Sequence, residues 1–193
     1  MKKYELTSET KIVFGHILYR IKALSSFGCV SAGDLGGFLE SEKNLSQNGN
    51  AWVFGNAEVY GNAEVYGNAR VYGDAWVYGD ARVYGNAEVY GNAEVYGDAR
   101  VSGDARVSGD AEVSKIGSIF WIGAVGSRND TATFFRCTDG VIRVTCGCFF
   151  GNLDEFAKKV RKTHGDNDHA KVYMLAIDMA KIRISTEKEK TEE

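Results

Sequence analysis

The stretch EVYGNAEVYGNARVYGDAWVYGD, residues 58–80, repeats every six residues with almost no drift. Valine occupies every sixth position from Val53 to Val113, and alanine stands two residues before each, from Ala51 to Ala111. The unit Ala-x-Val-Tyr alternates a small residue, a polar residue, an apolar residue and an aromatic one, which is the period-two pattern of a short strand. The Gly-Asn or Gly-Asp that follows is a turn, since both residues tolerate positive φ at little cost. A strand this short cannot stand alone. Stacked coils solve the difficulty, because each coil's backbone pairs with its neighbours while the Val and Ala columns fill a shared core.

The tract resembles the hexapeptide-repeat, left-handed parallel β-helix family, in which an aliphatic residue is followed four positions later by a small one, as Val59 is by Ala63. The resemblance implies three hexads to a coil, so residues eighteen apart stack. The outward polar columns then run Trp52, Arg70, Glu88, Arg106; Glu58, Trp76, Glu94, Glu112; and Glu64, Arg82, Arg100, which suit a solvated surface with weak charge preferences. The aromatic columns are Phe54, Tyr72, Tyr90; Tyr60, Tyr78, Tyr96; and Tyr66, Tyr84. So much outward apolar area favours contact with another subunit. Members of this family commonly assemble as trimers along such faces, so the resemblance implies a homotrimer.

Hexapeptide-repeat acyltransferases use a histidine in the coils as general base, and related enzymes bind zinc through histidines there. Here His16, His164 and His169 all lie outside the tract, which also lacks cysteine and inserted loops. The missing imidazole removes the family's usual chemistry. The turn residues Asp74, Asp80, Asp98, Asp104 and Asp110 lack the glycine-rich nonapeptide period of calcium-binding rolls, and turn chemistry accounts for them. The expectation is a non-enzyme with no cofactor and no metal.

With 193 residues, 44% of them hydrophobic, and a net charge of −3, the chain can bury an ordinary core. Its apolar runs are shorter than the ~20 residues that span a bilayer, so no membrane partner is expected and the cytoplasm is the default location. Charge is unevenly spread: residues 53–114 carry 4 basic and 10 acidic groups, and residues 115–184 carry 11 and 7. A DNA partner is not expected, whereas the basic C-terminal part suits a small anion. The four cysteines, Cys29, Cys137, Cys146 and Cys148, are expected as reduced thiols.

The flanks complete a mainly β fold: an N-terminal β cap (1–46), the β-helix (47–114), a small α+β domain (115–184) and a disordered tail (185–193). KIVFGHILYRIKAL alternates as a strand or hairpin, and the segment after it closes the open end of the coils. Beyond the repeat, strands are expected at 116–123, 131–137 and 141–150, the last two joined across Thr138-Asp139-Gly140. A helix capped by Asn152 and Glu155 follows, with Leu153, Phe156 and Val160 on one face and Gly165 at its end. A second helix begins near Asp168 with Val172, Leu175, Ala176 and Met179 inward. Cys146 and Cys148 share a strand face with Ile142 and Val144, a setting for buried free thiols rather than zinc ligands.

Two polar turns between apolar elements are the candidate ligand site. GSRNDT (126–131) supplies Arg128, Asn129 and Asp130, and THGDNDH (163–169) supplies His164 and Asn167. A guanidinium there forks onto phosphate or carboxylate, and the others add hydrogen bonds. GDLGGFLESEKNLS, VGSRNDTATFF, VTCGCFFGNLDEF and THGDN together resemble a group of phage- and prophage-associated proteins. That resemblance implies interference with host defence, by capture of a nucleotide-like anion or by gripping a host defence protein through the tyrosine faces Tyr60, Tyr66, Tyr72, Tyr78, Tyr84, Tyr90 and Tyr96. An acyltransferase is the third reading.

Overall fold

The computed structural model describes residues 2–184; the tail expected to be disordered lies outside the described residues. A hairpin of β1 (Tyr4–Val13) and β2 (His16–Ala23) leads into β3 (Leu35–Leu39). Eleven two-residue strands follow, one per hexad, from β4 (Trp52–Val53) to β14 (Glu112–Val113). They form a β-solenoid, with each strand parallel to the one eighteen residues on: Trp52 beside Arg70, Glu58 beside Trp76, Glu64 beside Arg82. The columns expected from the sequence are the observed ones. Every valine and alanine of the repeat is buried in one continuous core, each valine contributing about 1.5–3 kcal/mol.

Two ladders run along the outside. Asparagine amides donate from coil to coil, Asn50 to Asn68 and Asn68 to Asn86, each at 3.1 Å, and Asn86 to Asp104 at 2.9 Å. Aspartate closes this column at the last coil, where an acceptor suffices. The tyrosines stack on one another with ring centroids 4.8–5.1 Å apart and planes within 2° of parallel. Their hydroxyls donate to carboxylates, Tyr72 to Glu88, Tyr78 to Glu94 and Tyr96 to Glu112.

Residues before the repeat supply the donors that a missing preceding coil would have given. The backbone N–H groups of Phe38, Glu40 and Ser46 donate to Ala57 O, Val59 O and Val65 O. Asn44's buried amide reaches Gly61 O and Ala63 O at 3.0 and 2.9 Å, and Lys3 Nζ reaches Ala51 O at 2.9 Å. Burial lowers the pKa of that lysine to about 8, because the interior disfavours its charged form. Trp52 lies beneath this cap, meeting Tyr4 and Phe27 edge to face at 6.0 and 5.4 Å. Trp52 and Glu58, expected in solvated columns, are therefore both buried; Glu58 pairs with Lys11 of the hairpin.

At the other end a four-stranded antiparallel meander, β15 (Ile119–Val125), β16 (Asp130–Arg136), β17 (Ile142–Cys146) and β18 (Phe149–Asn152), closes the solenoid. Alternate residues Ile119, Phe135 and Cys137 join the solenoid core, while Phe134, Val144 and Ile142 face two helices, α1 (Leu153–His164) and α2 (Asp168–Arg183). The single strand expected over 141–150 is thus two, because Gly147 at φ +57° turns the chain back. Cys146 faces the helices half-buried, and Cys148 sits in that turn, exposed rather than buried. Asn152 and Glu155 form the expected reciprocal cap, both bonds 2.9 Å, and Gly165 ends α1.

The inward face of α2 differs from expectation. Ala170, Tyr173, Ala176, Ile177 and Ala180 are buried, whereas Val172, Leu175, Met179 and Ile182 are exposed. Both stripes are apolar at helical spacing, and the alanine-rich one lets the helix approach the sheet more closely.

Candidate anion-binding site

In a meander the first and third turns lie at the same end of the sheet, so the turn after β15 and the turn after β17 stand side by side. Helix α1 starts at the opposite end and runs back along the sheet, which returns His164 to those turns. Arg128, Lys159, Thr163 and His164 thereby line one cavity of about 140 Å³, with Cys146, Cys148 and Tyr173 in its wall. Gly147 makes this possible: a Cβ there would lie 2.7 Å from the Arg128 guanidinium and 3.2 Å from the Asp130 carboxylate. A larger residue there would displace the Arg128 guanidinium.

The site holds cationic groups around a half-apolar floor of Phe149 and Phe156. Tyr173 packs edge to face on Phe156 at 5.3 Å, its hydroxyl 3.5 Å from Val125 O and 3.6 Å from the Cys146 sulfur. Burial raises the pKa of both the Tyr173 phenol and the Cys146 thiol, and Asp130 adds to it. Both groups are therefore neutral near pH 7 and serve as weak donors. The His164 ring lies 5.9 Å from that of Tyr173 and 5.5 Å from that of His169. Asp130, beside Arg128, offsets part of the positive charge.

Of the expected ligand residues, the structure brings Arg128 and His164 together and sets Asp130 beside them. Asn129 instead shapes the turn, at φ +51°. Asn167 caps α2, its side chain accepting from Ala170 N at 3.1 Å. Lys159 and Thr163 escaped the sequence reading, although their four-residue spacing on α1 puts them on one helix face, next to His164. Among the described residues no group of three or more His, Cys, Asp or Glu side chains is placed to hold a metal ion, and no helix is long and apolar enough to cross a membrane. Of the tyrosines expected to join subunits, Tyr60 is buried by the chain's own N-terminal strands, where Leu18 of β2 and Phe38 of β3 cover it. Phe14 at the hairpin tip lies 5.6 Å from Trp76 on the same face. Tyr66, Tyr72, Tyr84, Tyr90 and Tyr96 remain partly exposed, as does Tyr78 at the hairpin's edge.

A model of the YdcK β-solenoid repeat matches residues 63–79, 75–91, 93–109 and 99–114. The likeness covers the coils from residue 63 to residue 114 and stops short of the cavity. A search of curated proteins returns no match.

Proposed function

We propose that the protein is a non-enzymatic binding module in which the β-solenoid carries a site for one small, nucleotide-like anion. The convergence of Arg128, Lys159 and His164 on a single cavity is the observation that supports this reading. A cavity of about 140 Å³ is smaller than the ~300 Å³ at which ligand pockets begin, so it seats the phosphate end of a nucleotide and leaves the rest outside. The phage resemblance gives the binding a purpose, sequestration of a defence signal in the host cytoplasm. A homotrimer along the coil faces that the hairpin leaves uncovered belongs to the same proposal.

Calorimetric titration with a panel of nucleoside monophosphates tests it. Arg128→Ala is expected to weaken binding about ten- to a hundredfold, the value of one charge-assisted hydrogen bond, with Lys159→Ala following. Affinity unchanged in both variants would remove the site.

One observation favours a second reading, a grip on a host protein. Val172, Leu175, Met179 and Ile182 form an exposed apolar stripe at the spacing of helix-in-groove anchors, with Leu175 64% accessible. In that case Leu175→Glu abolishes capture of the host protein and spares nucleotide binding.

A further inference from the structure

We infer a second binding site, for an anionic amphiphile, in a groove of about 940 Å³ where the solenoid meets the C-terminal sheet and the end of α2. Its wall is apolar, formed by Ile116, Phe120, Trp121, Met179 and Ile182, and its charged rim is Arg100 and Arg183. Among the described residues no acidic side chain lines it. The sequence makes the space. Tyr66 and Tyr84 stack on successive coils, but the next position in their column is Ser102, so the ladder stops and the volume beside it stays open. The Trp121 indole lies over Gly103, its Nε1 at van der Waals distance, 3.5 Å, from where a Cβ would stand.

The charges say what kind of molecule fits. Arg82 and Arg100 lie side by side on adjacent coils, a like-charge pair. Arg82 has Glu64 at 3.8 Å, but among the described residues no acidic side chain pairs with Arg100 or Arg183. The contrast with the second face is informative: there Glu94 and Glu112 are also adjacent, and Arg136 answers them at 3.3 Å from Glu112. Among the described residues nothing supplies the answering charge on the third face, and a ligand's carboxylate or phosphate supplies it, with its hydrocarbon body against Trp121, Ile116 and Met179. The volume lies in the range of small-molecule pockets, and the few polar groups at its rim fix orientation as such pockets require.

Trp121 makes the site observable. Decanoate titrated into the full-length protein is expected to shift tryptophan emission saturably. Decyltrimethylammonium, with the same tail and opposite charge, binds at least tenfold more weakly. The double variant Arg100→Ala/Arg183→Ala, which alters only exposed side chains, loses decanoate affinity at least tenfold. Trp121→Phe removes the signal while calorimetry still detects binding. Arg128→Ala leaves decanoate binding unchanged, which separates this site from the nucleotide site. Equal affinity for the cationic and anionic tails, an unaffected double arginine variant, or an emission change that survives Trp121→Phe would each overturn the inference, as would no saturable change.

Discussion

Trp52→Ala is expected to lower stability by about 3–5 kcal/mol, the cost of deleting a buried indole. Its side chain is 1% exposed and closes the first coil against Tyr4, Phe27 and the backbone of Gly36. A solenoid's first coil has no neighbour above it, so its carbonyls and its core are open unless another segment covers them. The cavity left by the indole sits at that boundary. It loosens the strand carrying Phe38 and the buried amine of Lys3, which together satisfy Ala57 O and Ala51 O. Denaturant unfolding measures the loss. Hydrogen exchange locates it: amides of residues 51–72 lose protection before those of β16. A loss below ~1 kcal/mol would mean that the N-terminal segment rests on the coils without closing them.

The second large effect concerns the turns. Gly85→Ala is expected to cost about 2–4 kcal/mol, and Gly55→Ala only about 1–2 kcal/mol, although both glycines have positive φ. The shared part is the penalty of an L-residue in the left-handed region, about 1–2 kcal/mol. The difference is packing between coils. A Cβ on Gly85 would stand 2.9 Å from Gly103 N, whereas one on Gly55 would meet nothing within 4 Å. Coils stacked at sheet spacing cannot part locally, since backbone hydrogen bonds tie them on both sides of the turn, Tyr84 N to Val101 O, Asn86 N to Gly103 O and Glu88 N to Ala105 O. Equal losses at the two positions would show that turn conformation alone explains the glycines.

The coils were legible because the repeat is its own evidence: with Val and Ala at fixed intervals, one register places all of them inside. The ends were not. That Trp52 and Glu58 are buried follows from the path of residues 2–46, and no periodicity in the repeat encodes what covers its first coil. On α2 Ala176 is buried as expected, whereas Val172, Leu175 and Met179 are not, for another reason. Val172, Leu175, Met179 and Ile182 satisfy helical periodicity as well as Ala170, Tyr173, Ala176 and Ala180 do, and only the close approach of helix to sheet selects the alanines. Arg128 and His164 could be nominated from their turns. Lys159 could not be ranked above other lysines of α1 until Gly147 and the meander placed its helix face beside Arg128.

The claim that this cavity captures a nucleotide-like anion is tested most directly by mixing the pure protein with a cell nucleotide extract. After washing and denaturation, the released small molecules are identified by mass spectrometry. One phosphate-bearing species, chemically unchanged, is expected to be retained by the wild-type chain and lost from Arg128→Ala. A chain that returns no such species, returns it altered, or retains it equally after Arg128→Ala contradicts the account.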